Sequence, residues 1–294
     1  MMEGLEFMLL PFIACLTLIG IHGYFGIHVL KRGIIFIDIA MAQLAALGMT
    51  FAYVFHIPEE SIWTYPLSLL FVTLAAWFFA KLKCQQPRVC MEAIIGMTYA
   101  VAATAAVILI DKAAGSHEHL KEIFIGSILW VQWPEIVKSL IVYTLVGVFH
   151  YFFRNRLIPL SEDYEAAKQG GHKVQWWDFI FYFTLGIVVM HSVRIGGILL
   201  VFAFLIIPAS VSALYSKHWI TRISIGWLSG TLVSIVGLYL SWTFDLPSGP
   251  AVVLVLGLLL IMSMAIRALV PRHSQKEPVP ISKNQAHSVE GDDF

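Results

Sequence analysis

Nine stretches of this 294-residue chain run for 15 to 24 residues without Asp, Glu, Lys or Arg. They cover residues 7–30, 39–58, 61–80, 93–110, 139–153, 179–193, 195–216, 223–244 and 246–266. A helix needs about 20 apolar residues to cross the hydrocarbon core of a bilayer. Only helices and closed barrels satisfy their backbone polar groups there. The runs therefore predict an all-α integral membrane protein. Only Arg194 separates the sixth run from the seventh, and Gly196 and Gly197 follow it. The two read either as two spans or as one broken helix with a re-entrant piece, so eight or nine transmembrane helices are expected. With 59% hydrophobic and 13% charged residues and no formal net charge, the chain excludes a disordered protein, a basic nucleic-acid binder and an ordinary cytosolic enzyme. Three cysteines, Cys15, Cys84 and Cys90, form neither a metal-finger spacing nor a disulfide framework. The first residues lack the basic region of a cleaved signal peptide, so the first run is expected to remain as a span.

Lysine and arginine orient the spans. With nine crossings and the N-terminus outside, 15 basic residues fall on cytoplasmic segments and four, Lys112, Lys121, Lys138 and Arg194, on outer ones. The expected location is the inner (plasma) membrane, with the C-terminus in the cytoplasm. The outer segments carry Glu3, Glu6, Glu59, Glu60, Asp111, Glu118, Glu122, Glu135 and Asp245. An acidic face suits a cation entrance or a basic docking partner, and equally the plain solvation of loops. Residues 1–270 read as the transmembrane permease domain. Residues 271–294 are polar and proline-bearing and read as a disordered cytoplasmic tail.

The pair Gly-Lys occurs nowhere, so the chain has no phosphate-binding loop of the Gly-x-x-x-x-Gly-Lys kind. If ATP drives this protein, another chain binds it. Neither Gly-x-Ser-x-Gly nor His-Glu-x-x-His is present. The chain reads as a transport subunit and not an enzyme.

Several polar groups lie in or beside the spans. Asp38 opens the second, where a carboxylate is costly unless it faces a cavity or a partner. Pairing with Arg32 or with a backbone amide is the plainer alternative. Gln43 follows five residues on, about 140° round the helix, so the two do not share a face. Glu92 opens the fourth span, either as part of a cation path or as a carboxylate favoured by the helix dipole. His117, Glu118 and His119 sit in the richest outer loop, where His and Glu side chains can hold a divalent transition metal. The alternative there is a short helix capped by Ser116. His22, His28, His56, His150 and His191 read as hydrogen-bonded packing or as parts of an ion path. In the long cytoplasmic loop, Glu165, Ala166 and Ala167 lead to Gly171. A short helix ended by glycine makes a knob that another subunit can grip, and an amphipathic surface helix would look alike.

These stretches together resemble a known family. The run from Arg194 through two glycines to Pro208 resembles the late-span signature of metal-ion permeases of ATP-binding-cassette importers, the zinc, manganese and iron(II) group. Asp245-Leu-Pro-Ser-Gly249-Pro resembles their last outer loop, Glu92 with Ile95-Gly96 their fourth span, and the segment from Phe124 the stretch after their central outer loop. The Glu165–Gly171 spacing is similar to their cytoplasmic coupling segments. The resemblance implies a metal/cobalamin-type importer permease of eight or nine helices. It also implies a second permease copy as homodimer partner, cytosolic ATPase subunits and an extracytoplasmic metal-binding protein. The family's second-span pattern is Gly-Asp-Ala-Leu-Ser-His. Counted from Arg32, its Asp falls on Asp38 and its His on Ala42; counted back from Gly48, its His falls on Gln43 and its Asp on Ile39. Either way the family's histidine is absent.

The resulting expectation is a permease for inward movement of a divalent transition metal, with no permanently bound cofactor. Zinc is preferred over manganese or iron(II) because of the histidine-bearing loop. Asp38 and Gln43 would line the path, Glu92 would lie nearer the exit, and His117, Glu118 and His119 would serve the entrance. A permease for a metal chelate or vitamin and an ion-coupled secondary transporter remain as alternatives.

Overall fold

The computed structural model describes residues 2–57, 63–85, 89–111, 128–171 and 173–269, with side chains from Met8 onward except at Ile110 and Asp111. The loop of His117, Glu118 and His119, the segment from Phe124 to Ser127 and the tail 271–294 lie outside the described residues. The elements are α1 (Met2–Arg32), α2 (Ile37–Val54), α3 (Thr64–Gln85), α4 (Met91–Asp111), a 3-10 turn (Ile128–Trp130), α5 (Trp133–Phe152), α6 (Arg154–Glu162), α7 (Tyr164–Gln169), α8 (Val174–Tyr215), α9 (Trp219–Phe244) and α10 (Ser248–Leu269). Among the described residues, eight helices are long and apolar enough to cross a membrane. The two short helices α6 and α7 join α5 to α8.

The α8 helix, which spans the sixth and seventh charge-free runs, is where the sequence left two readings open. α8 has 42 residues, about 63 Å at 1.5 Å each, twice the thickness of the hydrocarbon core. Gly197 breaks it with φ 73° and ψ 166°, a conformation that is essentially glycine's alone. The packing shows that the chain doubles back there. Phe181, in the first half, packs against Phe25 and His28 of α1 with ring centroids 5.6 and 5.5 Å apart. In the second half, Leu205 and Ala209 lie against Gly26 of α1. Gly196 meets Leu18, nearer the start of α1. Two points 24 residues apart on α8 thus lie at one level of α1, which a continuous helix could not achieve. The two halves are separate crossings, so the described helices make nine.

α8 occupies the middle of the bundle, with Leu185, Val188, Val189, Leu200, Phe204 and Leu205 buried. Close approach depends on missing side chains. A Cβ on Gly26 would lie 1.9 Å from the carbonyl oxygen of Leu205, so only glycine lets α1 and the second half of α8 touch. The outward faces stay apolar, as on Leu145, Phe152, Ile220 and Tyr239, and suit lipid as solvent.

Charge segregates along the bundle. Lys31, Arg32, Lys81, Lys83, Arg154, Arg156, Lys168, Lys173, Lys217, Arg222 and Arg267 sit towards the end of the bundle where α1 finishes. Lys138 and Arg194 are the described basic residues towards the other end. At that second end α9 turns into α10 through Asp245, whose φ of 53° ends the helix. The Ser241 hydroxyl bonds to Ser248 at 2.8 Å across this turn.

Candidate functional site

The second helix carries the residues singled out for a cation path. Asp38, in its first turn, is 1% exposed, and Gln43 is 3% exposed. The α2 helix is wedged between α3, α4 and α8, and this burial withdraws both side chains from water. One Asp38 oxygen accepts the N–H of Ile39 at 2.8 Å. Arg32 does not pair with it. Among the described residues the ion pairs are Lys31–Glu162, Arg32–Asp178 and Lys83–Asp178, so the Asp38 carboxylate has a backbone partner and no cation. The amide nitrogen of Gln43 is buried without a hydrogen-bond partner. Rotating that amide by 180° presents its carbonyl oxygen to the same space.

Glu92 lies at the start of α4 and reaches sideways. Its Oε1 accepts the N–H of Phe36 at 3.2 Å, and its Oε2 is buried without a partner. Phe36 is the N-cap residue of α2 and receives no cap from a side chain of its own helix. Glu92 therefore ties α4 to the turn that leads to Asp38, a role neither sequence alternative described. Among the described residues no group of three or more His, Cys, Asp and Glu side chains is arranged to hold a metal ion.

A buried polar seam that the sequence did not indicate joins α1, α5, α6 and α8. Arg32 donates from Nη1 to Asp178 Oδ1 at 2.5 Å and lies over the Phe181 ring at 3.9 Å. Lys83 reaches the same Asp178 oxygen at 3.9 Å. His28 shares a 2.7 Å hydrogen bond with Ser161, and His150 bonds to Thr184 at 2.8 Å and to Tyr24 at 3.2 Å. His22 is held by the carbonyl of Leu18 at 2.8 Å, and His191 by Tyr65. Each of these four histidines has a hydrogen-bonded ring nitrogen, while Nε2 of His22 and of His28 is buried without a partner. The available signal was Asp178, an acidic residue at the very edge of a span, but the run of neighbours says nothing of Arg32, which is 146 residues away.

The cytoplasmic-loop residues are on α7. The Asp163 carboxylate caps it by accepting the Ala166 N–H at 3.0 Å, and Gly171, at φ 76°, follows its end. Ala167 is buried against Leu160 and Val174, while Glu165, Ala166 and Gly171 are exposed. One buried alanine anchors a knob whose other faces are open. Just before it, Glu162 Oε1 accepts from Lys31 Nζ at 2.6 Å and from Trp219 Nε1 at 2.5 Å. The Lys31 hydrogen bond holds the Glu162 carboxyl below its ordinary range. Burial pushes the Tyr164 hydroxyl up.

The family model described as the ABC 3 transport family matches residues 4–267. The chain is 26% identical over 261 residues to the manganese transport system membrane protein MntC of Listeria monocytogenes, covering 86% of this chain and 89% of that one. It is 28% identical over 179 residues to the manganese import system permease protein ScaB of Streptococcus gordonii, covering 60% and 63%. Its fold matches PsaBC from Streptococcus pneumoniae, solved in complex with Fab, with a TM-score of 0.75 at 22% identity over 90% of this chain and 94% of that one.

Proposed function

Because the chain belongs to the ABC 3 transport family, we propose that it is the membrane-spanning permease subunit of an importer for a divalent transition metal, with manganese as the leading cargo. The observation that carries this reading is Asp38, a buried carboxylate in a spanning helix with no cation beside it. Such a group is costly in a bilayer, and a passing cation offsets that cost. Manganese is a hard cation that carboxylate and carbonyl oxygens suit, and the side chains on α2 offer oxygen and not imidazole. The zinc preference rested on His117 and His119, which lie outside the described residues, and finds no support in the names of these relatives. The secondary-transporter alternative lapses with the family.

In this reading the end rich in Lys and Arg faces the cytoplasm, so the N-terminus is outside. A cytosolic ATPase grips α7 at Glu165, Ala166, Ala167 and Gly171. An extracytoplasmic metal-binding protein docks on the opposite end, where His117, Glu118 and His119 would meet the released ion. A second permease copy completes the path. Asp38 and Gln43 line it, and Glu92 orients the turn that carries Asp38.

The test is ATP hydrolysis and metal uptake by the reconstituted complex, offered manganese, zinc or iron(II) on its binding protein. Stimulation by manganese, with uptake abolished in Asp38→Ala, is the expected result. A complex that forms but takes up metal equally well with Asp38→Ala would remove Asp38 from the path. Failure of any ATPase to associate would remove the importer reading altogether.

A further inference from the structure

A single carboxylate oxygen joins two spanning helices next to the α7 knob. Glu162 is the last residue of α6 and stands one residue before Asp163, the N-cap of α7. Its Oε1 receives Lys31 of α1 and Trp219 of α9 together, at 2.6 and 2.5 Å. Two residues of α1 also meet the Trp219 ring: Lys31 Nζ lies 5.2 Å from its centroid and the tilted His28 ring is 4.6 Å away. Ser161, one residue earlier, accepts Arg32 Nε at 2.7 Å and bonds to His28 at 2.7 Å. Two consecutive residues of α6 thus hold three residues on the last turns of α1 and the first residue of α9.

We propose that Glu162 and Ser161 are positioning residues that transmit movement of the α7 knob to α1 and α9. The proposal rests on the importer reading. The route is short in covalent terms. The knob is one residue from Glu162, and Glu162 grips Lys31. The chain then passes through Arg32 and Gly33, where φ is +62°, to the Phe36 turn held by Glu92. Asp38 follows two residues later, so a pull on Lys31 reaches the candidate path through a single hydrogen-bonded turn. Beside the clamp is a cavity of about 300 Å³ bounded by Lys31, Arg32, Lys83, Ser161, Glu162 and Tyr164, which gives α6 room to shift. Arg32 is held by Asp178 on α8, so the end of α1 pivots about that contact when α6 moves.

The experiment uses the full chain in proteoliposomes with its ATPase and binding protein, and reads manganese ions taken up per ATP hydrolysed. Glu162→Gln and Lys31→Glu are each expected to lower that ratio about fivefold or more, the lower bound of a typical coupling energy, while the ATPase still copurifies. Exchanging the charges, Lys31→Glu with Glu162→Lys, is expected to recover the ratio only in part, because a lysine at 162 cannot accept the Trp219 Nε1–H. A purely structural pair would change yield and leave the ratio alone. An unchanged ratio in both single variants overturns the proposal. If a single variant does not assemble, Trp219→Phe, which removes only the Nε1 donor, decides: a lowered ratio supports the clamp, and an unchanged ratio overturns it. If the unmodified chain binds no ATPase, the importer reading falls and the clamp with it, an outcome distinct from a coupled complex that ignores Glu162.

Discussion

Arg32 and Asp178 meet at 2.5 Å with neither side chain exposed to solvent, one at the end of α1 and the other near the start of α8. They pin the outermost helix of the chain order to the central one. Lys83 leans on the same carboxylate from α3 at 3.9 Å, so one anion serves two cations. Asp178→Ala leaves both cations buried or half-buried without their partner. The expected cost is about 3–5 kcal/mol, the usual price of orphaning a buried charge. Unfolding of the purified chain in mixed micelles measures it. A loss below about 1 kcal/mol would mean that water reaches Arg32 and Lys83.

Gly26→Val tests the contact between α1 and the returning half of α8. The added side chain would have to displace the Leu205 carbonyl, which lies 1.9 Å from the Cβ position. The two helices must part, at an expected cost of about 1–3 kcal/mol or more. The same unfolding assay reads it, and Gly20→Val is the control, since nothing lies within 4 Å of its Cβ position.

Gly197→Ala puts a side chain on backbone at φ 73° and ψ 166°. The strain is about 1–3 kcal/mol if the reversal survives. If the variant is as stable as the parent, the reversal does not require this dihedral, and the account of how α8 makes two crossings needs revision.

The Lys31–Glu162 pair has a pH signature. The folded chain holds Glu162 below its ordinary value of 4.5 through the Lys31 hydrogen bond. A depressed carboxylate stabilises the folded state above its unfolded pKa and loses that contribution as pH falls through the folded value. The Glu162 side chain is 45% exposed, so solvent screening keeps the effect within about 1 kcal/mol. Stability should therefore be level across neutral pH with respect to this group and decline below about pH 4.5. Glu162→Gln should flatten part of that decline. An identical acid limb in the variant would place the titrating group elsewhere.

Much of the architecture was written in the charge-free runs. Each long helix covers most of one run, and α8 covers two, because a segment without charges has one comfortable solvent and one backbone geometry within it. The segregation of Lys and Arg also followed from the chain alone. Asp38 could be marked as costly from its neighbours, and α7 could be marked as a knob ended by glycine from Glu165, the two alanines and Gly171, whereas its Asp163 cap came from the structure. The partner of Arg32 could not. Charge spacing suggested Asp38, six residues away, and folding chose Asp178 instead, since the ends of α1 and α8 are brought together by packing across 146 positions. Glu92 likewise read as belonging to its own helix, yet it caps the neighbouring one.

The sequence by itself determined that this chain dissolves in a bilayer, that it crosses eight or nine times and which ends carry its positive charge. Those properties follow from transfer free energies, which are local and additive along the chain. The tertiary structure decided that α8 turns back at Gly197, that Asp38 faces no cation, and that one oxygen of Glu162 holds α1 and α9 together. Hydrogen bonds and ion pairs act over about 3 Å, so their partners exist only once distant segments have packed.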